Sequence, residues 1–390
     1  MTGAVAGSDV ARALQLIDTL AGRIGPRRPT TYDELSAALQ VRTDLAGAGI
    51  DARLEAFPAY SSFAAPFGLI FGLALAAGLL PRYSRLRPFL AVAATLAAVQ
   101  EGSFAPLSPS ALFRRRRSQN LVAEIEPRSE PRRTLCLLSH LDSSRSGLMF
   151  HPAVTPHLGP LVGVAGAAVT VQGAEGLLRR SRLGRLTVGL ARTIVAGAAA
   201  MLLERELRGV DVPGANDNAS GAAACAVLAA ECATDPLEST RLVVLMTGAE
   251  EAGVLGARAF LDAHETRDWL FLNLDGVGAA ASLHFLTREG GSLRSWPADE
   301  RLLAVGERIA ADRPDLGLSS SSRSSGLPYD STPVLARGGR AITLTVQNGS
   351  IPDYHWPTDT PDRIEPDVLS RALEAGREVI AAIDRGEADL

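Results

Sequence analysis

The side chains in this sequence that could do chemistry are acids and histidines gathered at the ends of apolar runs. His140 and Asp142 close TLCLLSHLD, and Asp217 lies in GANDNASG just ahead of a helical stretch. Glu250 and Glu251 follow RLVVLMTG, Asp275 ends WLFLNLD, and His355 lies in DYHWPTDT beyond RAITLTV. Imidazole and carboxylate together suit zinc, and two ions sharing one site require one carboxylate to bridge them. Five such ligands are available. Asp142, two residues after His140, falls on the same side of an extended segment, where it can accept the second N–H of the imidazole and orient the ring. Adjacent glutamates project differently, so one of the Glu250/Glu251 pair can ligate while the other faces a cleft.

Those residues must be positioned by the elements around them. Helices are predicted over residues 8–21 and 31–47, separated by the turn GRIGPRRP, with a short strand at 50–57. NLVAEIEP and TLCLLSHLD read as strands, the second buried. After residue 220 strands and helices alternate: a helix to 233, strand RLVVLMTG, a helix over 254–264, strands WLFLNLD and SLHFLT, and a helix near 298–312. Strand RAITLTV and a helix over 366–385 complete the chain. Alternation of this kind predicts a mixed, mostly parallel sheet with helices on both faces, whose ligands gather where strands end. The serine-rich 319–326 reads as an exposed loop, and no internal repeat is evident.

Bulk properties narrow the chemistry. The 390 residues allow one large domain with insertions. A formal charge of −4 gives no electrostatic reason to expect nucleic acid. All 39 basic residues are arginine, which removes phosphate-loop, Schiff-base and general-base lysines. Cys136, Cys225 and Cys232 cannot build a disulfide framework, and the seven-residue spacing of the last two suits one buried helix face. The N-terminal twenty residues read as an amphipathic helix, so no cleaved targeting segment is expected.

With those motifs in place, the sequence resembles the dizinc aminopeptidases of metallopeptidase family twenty-eight, whose relatives include glutamate carboxypeptidase and glutaminyl cyclase. LAGRIGPR, SQNLVAEI, SHLDS, GANDNASG, GAEEAGVLGA, NLDGVG and YHWPTDT carry the resemblance, which spans nearly the whole chain apart from two apolar insertions. It implies an α/β zinc-exopeptidase fold, a phosphorylase/hydrolase-like three-layer sandwich, and two zinc ions. His140 and Asp275 would be terminal ligands, Asp217 the bridge, and Glu251 and His355 would complete the pair. Glu250 would be the general base and Asp142 the partner that orients His140. A peptide is the implied substrate, cleaved from the amino end. Glutaminyl cyclase relatives, which use a single catalytic zinc, lack the DNAS that stands here at Asp217 to Ser220. Carboxypeptidase relatives insert a domain before the last histidine, for which the 80 residues from Asp275 to His355 leave little room.

The insertions, residues 60–112 and 146–208, carry uncharged or nearly uncharged stretches: 56–81, 88–100, 158–174 and 186–203. Each reads as a helical hairpin around a basic link, RYSRLR or RRSRLGR. Crossing a bilayer takes about 20 mainly apolar residues. Only 63–81 and 158–174 come close, the others being short or interrupted by Arg192. Two readings stand open: membrane-associated hairpins, with a non-catalytic membrane scaffold as the extreme case, or a cytoplasmic protein whose hairpins form a lid or a homo-oligomer surface. Trp356 and Tyr329, the latter beside Asp330, are candidate pocket walls near His355. His151, His157, His264 and His284 receive no role.

Overall fold

The computed structural model describes residues 2–81, 83–105, 107–291, 294–321, 327–348 and 350–389. Helix α1 (Thr2–Ile17) runs on through a wider turn to Ile24, and Thr31 caps α2 (Tyr32–Gly47) by accepting from the Glu34 N–H. Strand β1 (Ala52–Ala59) leads into α3 (Ala64–Leu79) and α4 (Leu86–Gly102); β2 (Arg116–Ile125) and β3 (Arg133–His140) follow. Next come α5 (Leu158–Gly173), the single turn α6 (Glu175–Leu178) and α7 (Arg182–Arg208). The remainder alternates as expected: α8 (Gly221–Thr234), β4 (Thr240–Thr247), α9 (Leu255–Ala263), β5 (Leu270–Leu274) and β6 (Ser282–Leu286). After the small pair β7 (Arg288–Glu289) and β8 (Trp296–Pro297) lie α10 (Glu300–Asp312), β9 (Leu318–Ser321), α11 (Thr332–Ala336), β10 (Arg340–Gln347) and α12 (Pro366–Asp384). Residues 319–321 of the serine-rich stretch are therefore an edge strand rather than loop, and 322–326 lie outside the described residues.

Eight strands form one sheet in the order β1-β2-β4-β3-β5-β10-β6-β9. The central four, β4, β3, β5 and β10, are mutually parallel, while β1, β2 and β6 join antiparallel. Period-two alternation explains the three layers. Leu135, Leu137, Leu242, Val244 and Met246 face a core shared with α1, α2, α8 and α12. Their neighbours Cys136, Leu138, Val243 and Leu245 face the opposite side, against Phe260 of α9 and Val334 and Leu335 of α11. Strands buried on both faces must be apolar throughout, which is why TLCLLSH and RLVVLMT show no polar alternation. Each such side chain contributes roughly 1.5–3 kcal/mol. Cys225 and Cys232 are buried on α8, and all three cysteines are free.

Helices α3, α4, α5 and α7 do not join this sandwich. They pack on one another around a separate core of Ile70, Ala74, Ala94, Ala168, Val169 and Val195. Among the described residues, the helix long and apolar enough to cross a membrane is Arg182–Arg208, the stretch that Arg192 had counted against. Arg192 turns its guanidinium to Glu175 at 2.9 Å and so leaves the apolar face intact.

Candidate metal centre

The parallel direction of β3, β4, β5 and β10 brings their carboxyl ends to one edge, and the ligand-type residues sit on the loops that leave it. His140 ends β3, Glu250 and Glu251 follow β4, Asp275 follows β5, and His355 comes after β10. Asp217 arrives separately, from the segment before α8.

These groups converge. His140 Nε2 lies 3.1 Å from Asp217 Oδ1 and 3.7 Å from Asp275 Oδ2. His355 Nε2 lies 3.2 Å from Asp217 Oδ2 and 3.1 Å from Glu251 Oε2. Asp217 thus offers one oxygen to each histidine, with Asp275 on one flank and Glu251 on the other. Ligand atoms of His140, Asp217 and Glu251 all fall within 4.8 Å of one another, a spacing that can hold a metal ion. Glu250 is set slightly apart, its Oε2 4.0 Å from His140 Nε2.

Three networks explain the convergence. In the first, His140 Nδ1 contacts the backbone carbonyl of Asp142 at 3.0 Å, which turns Nε2 toward the centre. The expected imidazole–carboxylate bond is therefore made by the main chain: the Asp142 carboxylate stands 3.8 Å from Nδ1. That carboxylate instead accepts the backbone N–H groups of Glu250 and Glu251, both at 3.0 Å, and ties the β3 end to the β4 loop. Ala249, just before the two glutamates, is held at φ +53, a conformation costly for a side chain with a Cβ.

In the second network, the segment around Asp217 is stitched to the loop after β5. Asn216 Oδ1 accepts from the N–H groups of Gly278 and Ala279, Asn218 Oδ1 from Gly221 and Gly276, and Ser220 Oγ from Val277. Gly214 sits at φ +62, and a Cβ there would stand 2.4 Å from the Asp217 carbonyl oxygen, so the turn requires glycine. Asp359 reaches over from the His355 loop and accepts from the N–H groups of Asn216 at 2.7 Å and Asp217 at 3.1 Å.

Arg27, fully buried, forms the third network. Its guanidinium donates to the carbonyls of Leu20, Gly25, Leu141, Pro213 and Gly214 at 2.6–3.1 Å, joining the N-terminal turn to the His140 and Asp217 segments. Burial lowers its pKa to about 10, against the opposing pull of Asp359, Asp142 and Asp217.

The electrostatics fit a bound cation. Asp142, Asp217, Glu251, Asp275, Asp330 and Asp359 are all buried. Burial pushes Asp142 up to about 6 and Asp330 and Asp359 to about 7, and it carries Asp275 and Glu250 well above the usual carboxylate range. The imidazoles are driven the other way. Burial alone would lower His140, but its bond to Asp217 raises it; His355, against the same burial, is raised to about 9 chiefly by Glu251. A concentration of buried negative charge that draws protons onto both imidazoles is a place where a metal ion would compete well. Glu251 Oε1 and His355 Nδ1 are moreover buried without a hydrogen-bond partner. The His/Asp/Glu donor set matches zinc.

Several residues around the centre gave no individual signal in the sequence. Asp359, Asn216 and Ser220 stand in motifs already noted, and their position beside ligand-type residues was the available clue. Tyr354 stacks on His355 with centroids 3.8 Å apart, and Phe150, from the second insertion, meets the same ring edge-on at 4.3 Å. Nothing local marks Phe150. Of the proposed pocket walls, Tyr329 is buried and Trp356 contacts His151. His264 pairs with Glu55 and His284 with Ser319, both away from the centre.

Comparison with known proteins agrees with this fold. Residues 200–380 match the model of Peptidase family M28. No curated protein sequence matches the chain. Among solved structures, a zinc aminopeptidase from Bacillus subtilis superposes with a TM-score of 0.58 at 16% identity, covering 96% of this chain and 95% of that one. An aminopeptidase from Aneurinibacillus sp. strain AM-1 gives 0.55 at 15% identity, covering 96% and 93%. A glutaminyl cyclase from Bacteroides thetaiotaomicron gives 0.50 at 15% identity, covering 95% and 97%. At such identities the likeness is one of fold. Residues 200–380 are thus similar to Peptidase family M28, and the chain as a whole shares the fold of the solved zinc aminopeptidases.

Proposed function

We propose that the protein is a zinc-dependent aminopeptidase that holds two metal ions on five side chains. The observation that carries this reading is the way Asp217 divides its two oxygens between His140 and His355. It separates the cluster into two sets, His140 with Asp275 and Glu251 with His355, that share one carboxylate. Zinc bound in those sets supplies Lewis-acid polarisation of a carbonyl and acidification of water.

The chain's own residues supply the rest. Glu250 has no hydrogen bond to its carboxylate among the described residues and stands at the edge of the cluster, so it is free to take a proton from the attacking water. The same carboxylate returns that proton to the departing amine. Asp142 positions both glutamates through their backbone N–H groups, which keeps the base and the ligand at a constant separation. Tyr354 and Phe150 close the His355 side against water. The choice of the amino end rests on the likeness to solved aminopeptidases.

Metal analysis combined with a substrate panel tests this reading. We expect two zinc ions per chain, loss of turnover on chelation with recovery on adding zinc, and hydrolysis of aminoacyl substrates but not of their N-blocked forms. One zinc with cyclisation of N-terminal glutamine would replace the peptidase reading with a cyclase. Cleavage confined to N-blocked peptides with a free carboxylate would make it a carboxypeptidase.

A further inference from the structure

The four-helix unit built from α3, α4, α5 and α7 is inverted relative to a water-soluble bundle. Its interior is dominated by alanine, with Ala74, Ala94, Ala98, Ala165, Ala168 and Ala191 buried. Ile70, Phe71, Val169, Val195 and Leu202 share that interior, but many of the unit's large apolar side chains point outward. Phe89, Val92, Leu96 and Val99 form an exposed stripe along α4, Leu161 and Val164 are exposed on α5, and Leu186 and Leu190 on α7. Among the described residues, every exposed large apolar side chain except Tyr32 and Leu39 lies within 79–112 or 148–210. In water such a surface is costly, because small residues inside and large ones outside reverse the sense of burial. In lipid the same arrangement is favourable, since small interior residues let helices approach closely while the outer face needs only to be apolar.

Two further observations select the occupant. The helices close a ring, α3 against α4, α4 against α5, α5 against α7 and α7 against α3, so the apolar faces of α4, α5 and α7 point in different directions. A second copy of the chain would cover one face; a bilayer covers all of them. Charge is also banded. Arg85, Arg180, Arg182 and Arg185 are exposed at the hairpin tips, and Glu204, Glu206 and Arg208 lie at the other end of α7. Between them the exposed surface of α4 from Phe89 to Val99, of α5 and of α7 from Leu186 to Leu203 carries no charge. The one ionic group within reach, Glu175 with Arg87, Arg179 and Arg192, is turned inward on itself at the tip. At 1.5 Å per residue, α3 and α5 (16 residues each) extend about 24 Å and α7 (27 residues) about 40 Å. A hydrocarbon core is about 30 Å thick, and a mismatch of a few ångströms is readily absorbed.

We propose that this bundle spans a phospholipid bilayer, with the tip arginines among the headgroups of one leaflet and the peptidase domain seated against the other. Phe150, at the foot of α5, then forms part of both the bundle base and the wall around His355.

The test uses the full chain, purified in detergent and reconstituted into phosphatidylcholine/phosphatidylglycerol vesicles. The protein should float with the vesicles and remain with them through high-salt and alkaline-carbonate washes. Recovery from detergent-free buffer as a discrete soluble oligomer that does not float would overturn the proposal. Leu96→Arg combined with Leu190→Arg should abolish flotation while leaving turnover of a soluble substrate intact; wild-type flotation by this variant counts against a lipid-facing surface. A third measurement does not depend on that variant folding. Because the three native cysteines are buried, Tyr83→Cys places an exposed thiol at a tip. In vesicles whose peptidase domain is open to external protease, this thiol should resist a membrane-impermeant maleimide until the vesicles are lysed. Immediate labelling would show that the bundle does not cross.

Discussion

Replacing Glu250 by glutamine isolates the proton-transfer step from everything else in the centre. The substitution conserves shape, and the Glu250 backbone N–H to Asp142 is untouched by it. No hydrogen bond to the carboxylate is lost among the described residues. Burial and the neighbouring Glu251, Asp330 and Asp275 oppose the charge that is removed, against the pull of His140, so folding should not suffer. Stability is therefore expected to stay within about 0.5 kcal/mol of wild type, or to rise slightly. Turnover should behave differently. A positioned general base contributes about 10²–10⁴-fold, which at about 1.36 kcal/mol per tenfold is roughly 2.7–5.5 kcal/mol of barrier. Steady-state hydrolysis of an aminoacyl p-nitroanilide, with metal content and thermal melting measured on the same preparation, reads all three quantities. The expected pattern is unchanged metal, unchanged melting and a kcat lower by two to four orders of magnitude. A kcat within tenfold of wild type would remove Glu250 as the base, whereas metal lost along with activity would make it a ligand.

Asp142→Ala should act less directly, freeing the backbone of both glutamates and lowering metal affinity or activity by about 10–100-fold; titration with a competing chelator would detect it, and an unchanged affinity would leave Asp142 without a positioning role. Away from the centre, Glu289 is fully buried and accepts from the hydroxyls of Ser331, Thr332 and Thr343, with its pKa raised by burial despite those bonds. A carboxyl raised on folding stabilises at low pH and loses that contribution as pH rises through its elevated value. Melting of Glu289→Gln relative to wild type should accordingly climb as pH increases above about 4.3, the free-glutamate value; a difference independent of pH would contradict the assignment.

Much of this molecule could be read before folding was considered. Apolar runs such as TLCLLSH and RLVVLMT specify doubly buried strands because nothing polar could survive there without a partner, and alternation with helices specifies the parallel sheet. Parallel strands expose their carboxyl ends on one edge, so the acids and histidines that close those runs were bound to meet. Local pattern could not say how they would meet. That Asp217 faces two histidines at once depends on Asn216, Asn218 and Ser220 grasping a loop 57 to 62 residues away, and on Asp359 reaching back from another. Asp142 shows the same limit: spacing put it beside His140, but the distant N–H groups of the β4 loop claimed its carboxylate and left the imidazole to a carbonyl. The inverted bundle is a third case. Hydropathy alone marks apolar helices, while which side of each faces its neighbours is decided only when the helices pack. Composition and periodicity determine which segments become buried elements; the partners of a buried polar group are chosen by chain reversal in three dimensions, where residues far apart in sequence compete for the same donor.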